Sequence, residues 1–345
     1  MCPSSVSDDV LERAVLHLVR LVDLDGTSGR EGPVVDEMEA ICRELGLDVR
    51  RSPVEAGRDN LLIGALEPRI VFCTHLDTVP PFIPATRDAE FVYGRGSADA
   101  RGVAVAMLYA LHRLQAAGHD DVACCFVVGE ETDHSGAKAI CHSGISPEVI
   151  VLGEPCGVTP VPAQKGLLKV RLITEGKAGH SAYPELGKSA IHELLHLLSD
   201  LMSPPFPSDD VLGETTLNVG LIEGGLAANV IAPRAEALLL LRCAAPVDSV
   251  LTEMRARIGD RAQIEELTRT EPRRFLTLGD DSTGGPEAVP FNTDAGTLAP
   301  LGAKMMLLGP GDMRCAHSPN ERLAIEDLRA GIEAYASIAR GLANN

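Results

Sequence analysis

The sequence predicts an α/β protein with a largely parallel sheet, interrupted by a smaller α+β domain. Three observations lead there. Strand-length apolar runs at Leu61–Ala65, Ile70–Thr74, Val122–Val128 and Val149–Leu152 are accompanied by helix-length segments, the pattern of a parallel sheet with crossover helices. The middle of the chain instead reads β-α-β-β-α-β, a ferredoxin-like unit of about one hundred residues. A strand at Lys304–Leu308 and a helix at Ile325–Leu342 then restore the first pattern. The expected division is 1–165 with 271–345 as one domain, and 166–270 inserted between them.

Each element has a local reason. Residues 11–24 and 33–45 space their apolar side chains as amphipathic helices do. Ala100–Ala117 is helix-length and lies between two strand-length runs. In the insert, Leu167–Glu175 reads as a strand and Lys188–Met202 as a helix. Thr216–Glu223 and Asn229–Arg242 read as a strand pair around Gly224-Gly225, Val247–Ile258 as a helix and Ala262–Thr270 as a closing strand. From Glu271 a loop rich in Gly and Pro leads back to the first domain.

Composition narrows the function. The 345 residues carry a formal charge of −18, which phosphate backbones and anionic lipid would repel, so nucleic acid and membranes are excluded as partners. Seven Phe, four Tyr and no Trp leave little for base- or sugar-stacking. The first twenty residues include Asp8, Asp9 and Glu12 and lack a signal-peptide pattern. The longest apolar stretch, Val103–Leu111, is far short of the roughly 20 residues that span a bilayer. Nine scattered cysteines without a Cys-x-x-Cys pair fit neither a disulfide framework nor a cysteine zinc site. The expectation is a reduced, cytoplasmic protein.

One motif is a decoy. His192-Glu-Leu-Leu-His196 matches the helical zinc-protease pattern. Helical spacing, however, gathers Ile191, Leu194, Leu195, Leu198 and Met202 on an apolar face and leaves both histidines on the solvated one. No third histidine follows at the usual spacing.

Chemistry concentrates at strand ends and glycine turns. His75-x-Asp77 closes an apolar run, and alternate strand residues point the same way, so the carboxylate can orient the imidazole. Asp99 follows the glycine-rich turn Gly94–Ala98 and opens a helix. Glu130-Glu131 follows Val122–Val128, where adjacent acids repel unless a cation or proton intervenes. Glu154 comes directly off Val149–Leu152, and His317 lies in the loop after Lys304–Leu308. Carboxyl ends of strands in such sheets converge on one crevice. Two imidazoles and several carboxylates suit Zn²⁺, with Co²⁺ or Mn²⁺ as alternatives, and suffice for two ions sharing a carboxylate.

The ordered set His75-x-Asp77, Gly-x-x-Asp99-x-Arg-Gly, Gly-Glu130-Glu131, Gly-Glu154-Pro and Ala-His317 resembles the acetylornithine deacetylase, succinyl-diaminopimelate desuccinylase and carboxypeptidase G family. Gly176–Ala182 and Gly224–Pro233 resemble the lid-domain signatures of the same family. The resemblance implies a metallo-aminopeptidase-like catalytic domain and an inserted lid and dimerisation domain. It implies two zinc ions bridged by Asp99, one completed by His75 and Glu154, the other by Glu131 and His317. Glu130 would be general base for the attacking water, Asp77 would hold His75, and His180 would donate to the substrate carbonyl across a dimer interface. Asn229, Arg242, Thr293 and Lys165 match substrate-holding positions. The implied activity is deacylation of an N-acyl amino acid such as N-acetylornithine, N-acetylcitrulline or N-acetyllysine. Desuccinylation, or dipeptidase or carboxypeptidase action on a short peptide, is the alternative. Arg101 stands where relatives carry Lys, Asn229-Val-Ile-Ala-Pro233 stretches a family signature, and His134 reads as an exposed loop residue.

Overall fold

The computed structural model describes residues 5–203, 205–277 and 286–343. The chain forms two compact units, Met1–Val161 with Phe275–Pro286 and Thr293–Asn345, and Pro162–Arg274 with Glu287–Asn292. Part of the Gly- and Pro-rich loop expected after Glu271, residues 278–285, lies outside the described residues.

The first unit begins with helices α1 (Asp8–Val22) and α2 (Gly32–Glu44) and strands β1 (Val49–Glu55), β2 (Arg58–Gly64) and β3 (Ile70–His75). Two short strands follow, β4 (Thr86–Arg87) and β5 (Phe91–Tyr93), then α3 (Arg101–Ala116), β6 (Val122–Val127), α4 (Ser135–Ile140), β7 (Val149–Gly153) and β8 (Cys156–Gly157). The second unit supplies β9 (Ala163–Gln164), β10 (Gly166–Glu175), α5 (Ala190–Met202), β11 (Thr216–Gly224), β12 (Arg234–Cys243), α6 (Val247–Ile258), β13 (Gln263–Thr270) and β14 (Arg273–Arg274). The chain returns to the first unit with α7 (Ala295–Leu298), β15 (Lys304–Asp312), β16 (Arg322–Ala324) and α8 (Ile325–Ala343).

The main sheet of the first unit runs β1-β2-β6-β3-β7-β15-β8. Its centre, β6-β3-β7-β15, is parallel. Every residue of β3, β6 and β7 is buried, as expected where both faces of a parallel sheet are covered. β1 escaped the sequence reading because Val-Arg-Arg-Ser-Pro-Val-Glu holds no apolar run. Edge strands tolerate such polarity, and Pro53 with it.

α3 is apolar on nearly all sides, and its first eleven residues are buried, which marks a helix enclosed by other elements. The exception in chemistry is Arg101. Its Nε donates to the Leu76 carbonyl at 3.1 Å, and its Nη1 to the carbonyls of Leu21 and Leu24 at 2.8 and 2.9 Å. A cation on these carbonyls complements the C-terminal dipole of α1 and ties that helix to the chain just beyond β3. Burial pushes the guanidinium down to about 10. Gly26 gives it room, since a Cβ there would lie 2.2 Å from Nη2. On the sheet, the Phe72 and Tyr335 rings pack 5.4 Å apart, and Tyr335 donates to the Leu308 carbonyl at 2.8 Å, satisfying its buried hydroxyl.

The second unit has an antiparallel sheet ordered β11-β12-β10-β13, the ferredoxin-like arrangement. After exposed Arg234, β12 alternates buried and part-buried residues. Leu168, Val170 and Leu172 of β10 join Leu194, Leu197, Leu198 and Leu201 of α5 and Val250, Leu251 and Met254 of α6 in one core. Two local expectations change. β12 starts at Arg234 rather than Asn229, because Val230 bridges to His180 and the Asn229 carbonyl accepts from Ser181. The buried face of α5 comprises Leu194, Leu197, Leu198 and Leu201, whereas Leu195 and Met202 are exposed. Residues 287–292 join this unit because Val289 donates to the Ala163 carbonyl and accepts from Lys165 N–H at 2.9 and 3.0 Å.

His192 and His196 are both exposed on α5. The double variant His192→Ala/His196→Ala is expected to leave metal content and hydrolysis unchanged. Loss of a metal equivalent by elemental analysis would restore the zinc-protease reading. Among the described residues no helix is long and apolar enough to cross a membrane.

Candidate metal centre

The centre forms in the first unit, where loops leave the carboxyl ends of adjacent strands. Parallel register sets His75 beside Val127 and Cys73 beside Leu152. The segments after β3, β6 and β7 therefore emerge along one edge, carrying Asp77, Glu130-Glu131 and Glu154.

Asp99 is the hub. Its Oδ1 lies 3.2 Å from His75 Nε2 and its Oδ2 lies 3.2 Å from His317 Nε2. His317 Nε2 is also 2.9 Å from Glu131 Oε1. Asp99 is 4% exposed and His75 1%. Burial by itself would raise the Asp99 carboxyl and lower the His75 imidazole. Their hydrogen-bonded opposite charges prevail, holding Asp99 far below the usual carboxylate range and His75 well above the usual imidazole range. Hydrogen bonds to Asp99 and Glu131 push His317 up to about 10.

Glu154 is 6% exposed. Burial raises its carboxyl well above the ordinary value; His75 opposes the rise, while Asp99, Glu131 and Asp294 add to it. So much negative charge out of water needs a counter-charge. His75, Asp99 and Glu131 bring ligand atoms together within 4.8 Å. The two oxygens of Asp99 each face a different imidazole, the donor arrangement that two divalent ions sharing one carboxylate require. The side chains present fit such a pair.

Asp77 contacts His75, as expected, and does more. His75 Nδ1 lies 3.0 Å from the Asp77 backbone carbonyl and 3.5 Å from its carboxylate. The carboxylate accepts from Ser28 Oγ at 2.7 Å and from the N–H groups of Glu130 and Glu131 at 3.1 and 3.2 Å. It thus joins the His75 strand end to the glutamate loop. Asn60, wholly buried on β2, holds the same loop: its Nδ2 donates to the Gly136 carbonyl at 2.9 Å and its Oδ1 accepts from Val128 N–H at 3.1 Å.

The two adjacent glutamates part company. Glu131 groups with His75 and Asp99, and Glu130 with His134 and Asp294. Burial drives the Glu130 carboxyl well above its ordinary value, with His75 opposing and Asp294, Glu154 and Glu131 reinforcing. His134 is half-buried rather than an exposed loop residue, and its Nδ1 lies 2.8 Å from Asp294 Oδ1. Neither partner was legible as a pair, since 160 residues separate them.

The remaining expected site residues belong to both units. Thr293 is 1% exposed, and its hydroxyl accepts from Ala295 N–H at 3.1 Å. In the second unit, His180 is exposed, with Nδ1 accepting from Ala182 N–H at 3.1 Å. Lys165 donates to the Glu214 carbonyl, Asn229 is exposed, and Arg242 is half-buried on β12.

Glu321 also escaped the sequence reading. Its Oε1 accepts from the N–H groups of Gly96, Ala98 and Asp99 at 2.8, 3.3 and 3.1 Å, while Oε2 pairs with Arg95. It is 1% exposed, so one buried carboxylate shapes the turn presenting Asp99. Glu321→Ala strands Arg95 and three backbone donors, and a stability loss of about 3–5 kcal/mol is expected. Urea denaturation of the metal-free chain measures it; a loss below 1 kcal/mol would contradict this role.

Residues 71–341 match the profile of peptidase family M20/M25/M40. The chain belongs to that family. It is a hydrolase of amide bonds, a metallopeptidase by family. It is 32% identical over 327 residues to a peptidase M20 domain-containing protein of Schizosaccharomyces pombe, covering 91% of this chain and 81% of that one. It is 32% identical over 314 residues to a probable carboxypeptidase of Aspergillus flavus, covering 78% and 73%. The fold matches the aminopeptidase PepT of Bacillus cereus with a TM-score of 0.80 at 23% identity, over 99% of this chain and 100% of the other. It also matches the YXEP protein of Bacillus subtilis, described as a dinuclear metal binding peptidase, with a TM-score of 0.71 at 16% identity over 97% and 99%.

Proposed function

We propose that this M20-family chain is a two-zinc exopeptidase that cleaves the amide bond of a short peptide. The observation that carries the two-metal reading is Asp99, whose oxygens each face a separate imidazole, with Glu130 drawn into its own group beside them. His75, Asp99 and Glu154 would hold one cation, and Asp99, Glu131 and His317 the other. Bound divalent ions would supply Lewis-acid polarisation of the scissile carbonyl and acidify water at neutral pH.

Glu130 would take the proton of the attacking water and pass it to the departing amine. Asp77 would keep the His75 strand end and the Glu130-Glu131 loop in register through the hydrogen bonds described. His180 would donate to the carbonyl oxygen, and Asn229, Arg242, Thr293 and Lys165 would hold the substrate's polar groups. Exposed Leu221, Ile222 and Leu226 on and beside edge strand β11 support a homodimer formed through the second unit.

The peptide substrate draws support from the curated relatives, which include probable carboxypeptidases. Deacylation of N-acetylornithine, N-acetylcitrulline, N-acetyllysine or succinyl-diaminopimelate is the second reading, favoured by the resemblance of the five ordered motifs. A panel of N-acyl amino acids and dipeptides, assayed with zinc- or cobalt-loaded protein, decides between them. Dipeptide turnover exceeding N-acyl turnover supports the exopeptidase. The reverse order supports the deacylase, and no hydrolysis across the panel overturns both.

A further inference from the structure

His134 lies beside Glu130, and the metal scheme leaves it unused. Its backbone is left-handed, at φ 55° and ψ 31°, a region where His, Asn and Asp are enriched among non-glycine residues. The loop imposes that geometry: His134 N–H donates to the Gly129 carbonyl at 2.7 Å, and the His134 carbonyl accepts from Lys138 at 2.9 Å. The turn brings the ring back over the residue four positions earlier. Nδ1 lies 2.8 Å from Asp294 Oδ1 and 3.9 Å from Glu130 Oε1. Asp294 is 3% exposed and stands at the start of α7, so its carboxylate is fixed by the fold.

The 2.8 Å contact is a hydrogen bond between Nδ1 and the Asp294 carboxyl, in which Nδ1 donates in the Nδ1–H tautomer. Nδ1 thus sits between two acids, hydrogen-bonded to Asp294 and at ion-pair distance from Glu130. Without it, the Glu130 and Asp294 carboxylates would face one another with like charge. We propose that Asp294 and His134 form a positioning dyad: Asp294 orients the imidazole, and the imidazole holds the Glu130 carboxylate in its working place. The dyad rests on the reading of Glu130 as general base. It adds two residues outside the five-ligand scheme, 160 positions apart in the sequence.

Two measurements on the full chain test it. In kinetics on the best substrate of the panel, His134→Gly removes the ring while accommodating the left-handed backbone. kcat is expected to fall ~10- to 100-fold, with KM within twofold and two metal equivalents retained. His134→Asn, whose amide nitrogen replaces Nδ1 and which also tolerates this backbone, is expected to recover most of the loss. Unchanged kcat in His134→Gly, no recovery with Asn, or loss of one metal equivalent overturns the dyad; the last would make His134 a ligand.

The second measurement needs no turnover. In ¹H–¹⁵N correlation spectra of metal-loaded protein labelled at histidine, the His134 signal is assigned by its absence in His134→Asn. It should report the Nδ1-protonated tautomer, and Glu130→Gln should shift it. An Nε2–H tautomer, or no response to Glu130→Gln, overturns the dyad. Failure of the base reading looks different: Glu130→Gln would then retain turnover, whatever the His134 signal reports.

Discussion

Glu130→Gln is expected to lower kcat by ~10²- to 10⁴-fold while leaving two metal equivalents bound and the fold intact. The amide is isosteric with the carboxyl but cannot accept a proton, so the substitution removes basicity and little else. Glu131, the adjacent residue, brings its carboxylate close to His75 and Asp99, whereas the Glu130 carboxylate lies close to His134 and Asp294. Both backbone N–H groups are held by Asp77, so the loop keeps its place when the Glu130 side chain changes. Steady-state kinetics and elemental analysis on the same preparation read the two consequences. Turnover within threefold of wild type would remove Glu130 from the mechanism. Loss of one metal equivalent would recast it as a ligand.

Asp99→Asn is expected to abolish hydrolysis and to empty both cation positions, whereas His317→Ala should empty only one. The asymmetry follows from Asp99 serving His75 with one oxygen and His317 with the other. An amide offers a single neutral acceptor in place of a shared anion, and zinc affinity depends on ligand charge. Titration with zinc, followed by equilibrium dialysis, gives the stoichiometry. One retained equivalent in Asp99→Asn would show that the carboxylate is not shared.

The same protein carries a pH dependence of defined sign. Without metal, carboxylate partners raise His75 well above the ordinary imidazole range against the opposing effect of burial, and push His317 up to about 10; a metal can take an imidazole nitrogen only after its proton leaves. Metal affinity should therefore rise with pH between 6 and 9, by up to about tenfold per unit for each proton released. Isothermal titration in buffers of different ionisation enthalpy counts those protons. A pH-independent affinity would contradict the proton-bridged apo cluster.

Much of the centre was legible because strand-end residues announce themselves locally. His75, Glu130, Glu131 and Glu154 each follow a buried apolar run, and in a parallel sheet the carboxyl ends of such runs share an edge. The supporting shell was not legible. Glu321 reaches Asp99 across 222 residues and His134 reaches Asp294 across 160, and neither acid stands in a pattern that distinguishes it from surface acids in a chain of charge −18. Asn60 looks like any polar residue in a strand until its amide is seen spanning both ends of the Val128–Gly136 loop. On α5 the periodicity correctly set the histidines outside, but the buried stripe is rotated toward Leu197 and Leu201. Which side of a helix is covered depends on where the sheet and α6 lie, and helical spacing alone does not contain that.

Local patterns account for the α/β class, the antiparallel insert and the strand ends that carry His75, Glu130, Glu131 and Glu154, because hydrophobic periodicity acts over a few residues. Tertiary contacts set the Asp99 oxygens 3.2 Å from His75 and His317, pair His134 with Asp294, and bring Glu321 to the turn that presents Asp99. Those outcomes depend on contacts between residues far apart in the chain, set by sheet register and loop geometry. They are properties of the folded chain, and no local pattern encodes them.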